Sequence, residues 1–286
     1  MADNAEMVVV CGGGGVWGVA WMTGLAAGLS DAGVDLKAAN KFIGTSAGSV
    51  VATQLTSSLE TEELFQRQAD PARQAPERLP PAGSLEAMIV VLQKRWASQE
   101  EKLTAIGDLA LSARTISAAE RRADIAARLS LPAMGWPSTE LAITAVDVAA
   151  KDLCVFDAQC GVDLIDAVAA SCAVPGVWPL AEIGERRYTD GGVWRTAENA
   201  HLAQGAKSVL ILSPLGQSGL GREDRLASDI KALEAGGAEV VTIYADQASL
   251  GAMVPHALDP ATRKPAAEAG RRQAAGEANR VRHLFG

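Results

Sequence analysis

The sequence predicts an α/β fold with a mainly parallel central sheet and helices on both of its faces, and three observations point to it. The run Met7–Cys11 is apolar and rich in β-branched residues, without the alternation of a half-exposed strand, as expected of a strand covered on both sides. Asn40–Ile43 reads as a short second strand, and its apolar end Phe42-Ile43 leads through a glycine-flanked turn into an uncharged, helix-compatible segment ending at Leu55. Finally, Glu223–Glu234 reads as a helix between the strands Ser208–Leu212 and Glu239–Tyr244, so strands and helices alternate along the chain.

Met7–Leu29 carries no charge and is long enough to span a bilayer. It also holds Gly12 to Gly15 in a row, with Gly18, Gly24 and Gly28 beyond them, and each glycine costs a helix roughly 1 kcal/mol relative to alanine. The reading is therefore strand, glycine loop and buried helix Val16–Leu29, closed at Asp31-Ala32-Gly33, with no membrane span.

From Thr56 to Leu131 the chain becomes polar, helical and interrupted. Ser57 with Glu60, Ser98 with Glu101 and Ser117 with Glu120 have the spacing of capping boxes, and a proline-rich loop (Pro71, Pro76, Pro80, Pro81) precedes a helix over Leu85–Ala97. This segment is a helical insertion within one domain. The core runs over about 7–214, the insertion over 56–131, and a C-terminal strand and basic helix over 215–286. Leu141–Val146 and Leu153–Phe156 read as strands joined in a hairpin through Ala149–Asp152. Asp163–Ala173 is a short helix stopped by Pro175, and Arg186–Thr189 is an extended run ending in Asp190-Gly191-Gly192.

The net charge of −8 over 286 residues excludes nucleic acid as the main partner, because no overall basic field exists to neutralise phosphates. Cys11, Cys154, Cys160 and Cys172 form no C-x-x-C pair and no zinc-spaced cluster with histidine, so neither metal nor other cofactor is expected. Unpaired cysteines and an acidic N-terminus without a secretory signal point to the cytoplasm. Over Ala257–Gly286 six arginines and lysines face three carboxylates, which suits either a solvated helix or a peripheral contact with an anionic membrane.

The chemistry gathers at Gly44-Thr45-Ser46-Ala47-Gly48. A G-x-S-x-G sequence between a strand and a helix is the context of a nucleophile elbow: Gly44 and Gly48 leave room for a sharp turn, and Ser46 stands over a helix N-terminus. Gly13, Gly14 and Gly15 follow a strand and offer backbone N–H groups to an oxyanion. None of His201, His256 and His283 lies in a motif, so Asp190 of Asp-Gly-Gly is the candidate base for Ser46.

Together these residues resemble the patatin-like family of lipid acyl hydrolases. The likeness lies in Gly13-Gly14-Gly15-Val16-Trp17-Gly18, in Gly44 to Gly48 and in Asp190-Gly191-Gly192, which occur in the family's order. It extends to Ala169-Ala170-Ser171-Cys172-Ala173-Val174-Pro175-Gly176 and to Ala145-Val146-Asp147. The resemblance implies a three-layer α/β/α fold, calcium-independent hydrolysis of lipid or small acyl esters by a Ser46–Asp190 dyad, and a glycine-loop oxyanion hole. Trp17 stands where the family has a basic residue, which removes a cation and favours neutral esters over anionic phospholipids. Trp17, Trp178 and Trp194 all neighbour motif residues and are candidates for the wall of an acyl pocket.

Three other readings remain at this stage. Gly13-x-Gly15-x-x-Gly18 with Asp35 echoes a dinucleotide-binding fingerprint, although Asp35 precedes the second strand instead of ending it. A Ser-His-Asp hydrolase would need His201 or His256. A lipid-binding protein without catalysis would keep the fold alone.

Overall fold

The computed structural model describes residues 6–133, 135–216 and 223–285. Its centre is an eight-stranded sheet. The strands are β1 (Met7–Cys11), β2 (Lys41–Thr45), β3 (Glu140–Asp147), β4 (Asp152–Phe156), β5 (Ala181–Ile183), β6 (Arg186–Asp190), β7 (Ser208–Ser213) and β8 (Glu239–Tyr244). Their order is β5-β6-β3-β2-β1-β7-β8, with β4 also paired to β3. The run from β3 to β8 is parallel, and β4, β5 and β6 are antiparallel additions at one side. All five residues of β1 are buried, as its unbroken apolar run requires.

The helices are α1 (Gly15–Asp31), α2 (Ala47–Leu55), α3 (Thr61–Ala69), α4 (Ser84–Gln93), α5 (Gln99–Ser112), α6 (Ala118–Leu129), α7 (Leu164–Ser171), α8 (Glu223–Ala235), α9 (Gln247–Gly251) and α10 (Arg263–Val281). They cover both faces of the sheet. The larger core joins α1, α2, α7 and α10 to one face, and a smaller one around Val8, Val10 and Ile211 joins α8 to the other.

The uncharged stretch of α1 is buried through its middle because α10 lies across it. The approach is close enough that a Cβ on Gly24, Gly28 or Gly270 would collide with the facing helix backbone. No helix among the described residues is long and apolar enough to cross a membrane. The basic tail is largely engaged within the protein: Arg263 is buried, Arg271 pairs with Asp31 and Glu62, Arg280 with Glu277, and Arg282 donates to the Ala32 carbonyl.

The insertion folds as α3 to α6. Ser117 and Glu120 form a full capping box at α6, and Ser98 caps α5 by accepting from the Glu101 N–H. Ser57 does not cap α3. Its hydroxyl donates to the Gln54 carbonyl left over at the end of α2, and Glu60 takes the N-cap position. The helix expected over Leu85–Ala97 ends at Gln93, where Lys94 turns extended.

Candidate active site

Ser46 connects β2 to α2 with φ 53° and ψ −119°, a conformation that costs a non-glycine residue about 1–3 kcal/mol. Four hydrogen bonds hold it there. Its N–H donates to Ser171 Oγ at 2.8 Å, and its carbonyl accepts from Ser49 N–H at 2.9 Å, Ser49 Oγ at 2.6 Å and Cys172 Sγ at 3.3 Å. Gly44 and Gly48 provide the clearance: a Cβ on Gly44 would lie 2.6 Å from Ser49 Cα, and one on Gly48 would collide with the Cys11 carbonyl.

Asp190 ends β6 and is 5% exposed. Its Oδ1 accepts from Gly192 N–H at 2.8 Å, and its own N–H donates to the Ala173 carbonyl at 3.0 Å. Thr45, just before Ser46, pairs with Thr144 on β3, and the next residue, Ala145, pairs with Asp190. Only β3 separates the two strand ends, so they stand about 10 Å apart, twice the strand spacing. The segment Ser171–Ala173 at the C-terminal end of α7 braces both residues, taking the Ser46 N–H at one end and the Asp190 N–H at the other.

Asn199 is a second brace, and sequence reasoning missed it. It is fully buried, and its Nδ2 donates to Thr45 Oγ1, Thr144 Oγ1 and the Gly191 carbonyl at 3.2, 3.4 and 3.1 Å. From α5, Lys102 Nζ donates to the Val193 carbonyl and Gln99 Nε2 to the Trp194 carbonyl, both at 2.6 Å. These bonds tie the insertion to the loop after Asp-Gly-Gly. Neither set carries a periodic or motif signal in the sequence.

The glycine loop requires a correction. The Gly13 N–H donates to the Ala197 carbonyl at 2.8 Å and is not free for an oxyanion. Gly14 and Gly15, the latter with φ 64°, have N–H groups without an acceptor among the described residues, as has Ala47 at the start of α2. The orphan donors of two helix N-termini therefore lie beside Ser46.

Ser46, Asp190 and Gly13 to Gly15 line one cavity of about 400 Å³. Its other walls are mostly aliphatic: Leu85, Met88, Ile89 and Leu92 of α4 on one side, Val174, Val193, Met253 and Leu258 elsewhere. None of the three tryptophans is in this wall. Trp17 is wholly buried, stacks on Trp21 at 6.3 Å and donates through Nε1 to the Ser249 carbonyl, so the substrate bias argued from it loses its basis. Trp194 packs with Leu103 and Val146 under the insertion. Trp178 lies under the Arg121 guanidinium, in the wall of a separate narrow recess.

The histidines divide similarly. His201 lies 3.9 Å from Asp229, which pairs with Arg195, and it is not in the cavity wall. His256 is in the wall, but its buried Nδ1 has no partner among the described residues, so no carboxylate stands behind it as a Ser-His-Asp relay requires. Asp35 caps a short turn before β2, and β2 ends in the elbow rather than in an acidic residue, which removes the dinucleotide reading. Burial pushes the Cys11 thiol up to about 12 and raises that of Cys172, so both act as small apolar groups.

The patatin-like phospholipase family model matches residues 9–200, from β1 past the Asp-Gly-Gly turn. The chain belongs to the patatin-like phospholipase family. Members are lipid-hydrolysing enzymes, and this chain is a lipid acyl hydrolase by that membership. Among solved structures it is similar to VipD from Legionella pneumophila, at 13% identity and a TM-score of 0.45 over 98% of this chain and 67% of that one. It is also similar to the type III effector ExoU, at 17% identity and a TM-score of 0.42 over 97% and 53%. A complex of SpcU with ExoU from Pseudomonas aeruginosa gives 13% and 0.40 over 99% and 53%. The chain thus spans about half the length of ExoU. No curated protein matches it in sequence.

Proposed function

We propose that the protein hydrolyses acyl esters of lipids through a Ser46–Asp190 dyad. The observation that supports this most is that the strained Ser46, the buried Asp190 and the unoccupied N–H groups of Gly14 and Gly15 line one aliphatic cavity. In this reading Ser46 Oγ attacks the ester carbonyl and its proton passes to the Asp190 carboxylate. The carbonyl oxygen becomes an oxyanion that accepts from Gly14, Gly15 and Ala47 N–H groups. The carbon–oxygen bond to the leaving alcohol then breaks, the alcohol takes the proton from Asp190, and water releases the acyl group by the same steps.

The cavity volume and its aliphatic wall suit an acyl chain. Helix α4, with no buried residue and with Val90 68% exposed, is the element better suited to a peripheral membrane contact than the basic tail, where Arg263, Arg271, Arg280 and Arg282 are engaged within the fold. The expected compartment is the cytoplasm, in keeping with four free cysteines.

A panel of lipid classes assayed with wild type and Ser46→Ala, alongside a fluorophosphonate probe, tests the reading. Labelling at Ser46 with turnover of at least one acyl ester supports it. Undiminished labelling in Ser46→Ala moves the nucleophile elsewhere, and an unlabelled wild type favours a lipid-binding protein without catalysis.

A further inference from the structure

The narrow recess shares Ser46, Gly15, Val174 and Leu258 with the main cavity, but unlike that cavity it holds three charged side chains beside Val16 and Ala47. Glu77, Arg121 and Arg128 line it, with Cys172 and Trp178. Arg121 is 4% exposed; its guanidinium lies 4.1 Å over the Trp178 ring and 3.7 Å from Glu77, too far for a hydrogen bond. Its Nε and Nη1, and Nε of Arg128, are buried without an acceptor among the described residues. Arg128 bonds Glu77 through Nη2 at 2.5 Å. Arg263 stands nearby and uses all three nitrogens, on Gln68, the Ala75 carbonyl and the Arg67 carbonyl.

Glu77, the one carboxylate in these walls, thus faces three guanidinium groups, with Asp124 acting on Arg121 and Arg128 from outside them. Glu77 Oε1 is ion-paired with both arginines but hydrogen-bonds only Arg128, and buried guanidinium N–H groups left without a hydrogen-bond acceptor are unfavourable. Burial, reinforced by Arg128, draws Arg121 down to about 10, which still leaves it charged at neutral pH. The N–H groups are therefore set for an anionic oxygen absent from the protein itself.

We propose that Arg121 and Arg128 form an anion subsite beside Ser46 that takes a phosphate oxygen carried on the leaving group of the ester. The recess, about 20 Å³, has room for one oxygen-sized atom, so it receives the tip of the phosphate while the remainder stays in the larger cavity. The acyl chain fills the aliphatic wall, which leaves the charged side to the alcohol half. Arginine suits phosphate because its planar fork can donate two parallel bonds. Assignment to the leaving group rests on Ser46 being the nucleophile; phosphate binding does not.

The test uses the full chain, with monohexanoylglycerol and its glycerol-phosphate counterpart as neutral and anionic esters. In Arg121→Gln and Arg128→Gln the anionic-to-neutral ratio of kcat/KM is expected to fall at least tenfold, chiefly through KM. A structural role would lower both esters together and leave the ratio unchanged, which overturns the proposal. A titration of tryptophan fluorescence with glycerol phosphate and with inorganic phosphate reads the subsite without turnover. A saturable change is expected in wild type and is lost in Trp178→Phe. Its absence in wild type overturns the subsite even if the arginine variants fail to fold. Saturation by inorganic phosphate alone, with an unmoved ester ratio, overturns the leaving-group assignment. If wild type cleaves neither ester, the catalytic reading fails and the titration still decides the subsite.

Discussion

At the scale of single residues, the site depends on side chains that hold backbone. Asn199 is the clearest case, since one amide group bonds three partners across β2, β3 and the Asp-Gly-Gly turn. It also sits at φ 51°, which asparagine tolerates better than alanine. Asn199→Ala is expected to cost about 2–3 kcal/mol of stability, read by urea unfolding, and to lower kcat as Thr45 and Gly191 lose their common anchor. A stability within 0.5 kcal/mol of wild type, at roughly the level of a neutral surface change, would contradict that role. The cysteines give a second expectation. With Cys11 at about 12 and Cys172 raised by burial, both remain protonated at pH 8, whereas Cys160 is exposed. Iodoacetamide on the native protein at pH 8 should modify Cys160 first and leave Cys11 and Cys172 unmodified, as peptide mapping would read. Ser46, Gly44, Gly48 and Asp190 were legible as residues because an elbow requires small neighbours and a tight turn requires Asp-Gly. The tryptophan pocket was misread because proximity in sequence to a motif does not fix which way an indole points. Trp17, one residue before Gly18, points into the core between α1 and α9.

At the scale of elements, α4 is the least anchored part of the insertion. None of its residues is buried, yet Leu85, Met88, Ile89 and Leu92 form one wall of the cavity. α5, by contrast, is tied to the loop after Asp-Gly-Gly by Lys102 and Gln99. Few buried contacts mean a low local opening free energy, so amides of α4 should exchange with deuterium faster than those of α5. Ile89→Ser should raise KM for long-chain esters more than for short ones, because it removes apolar wall without touching Ser46. Equal effects on both chain lengths would place the acyl group elsewhere. The insertion's helices could be read from the capping serines Ser98 and Ser117. Their packing could not, because a polar amphipathic segment does not disclose which buried carbonyl its lysine will reach.

At the scale of the whole molecule, the parallel sheet and the order of motifs were legible, since apolar strands and glycine turns follow local rules. The role of α10 was not. Its composition is basic and alanine-rich, and only the glycine contacts with α1 explain how it is accommodated so closely. Gly28→Val would meet the Arg271 carbonyl and Ala274, and is expected to destabilise the fold by about 3 kcal/mol or more. Thermal unfolding would measure it, and a wild-type midpoint would show that the two helices do not pack in this way.

The whole arrangement of elbow, braces and buried carboxylate serves one claim, that Asp190 is the base for Ser46. The direct test is kcat of Asp190→Asn on an acyl ester that wild type cleaves, with circular dichroism and urea unfolding run in parallel. Asparagine keeps the shape of aspartate and can still accept from the Gly192 N–H, so the fold should persist while turnover falls by ~10²–10⁴-fold. Turnover within a few-fold of wild type in the folded variant would contradict the dyad.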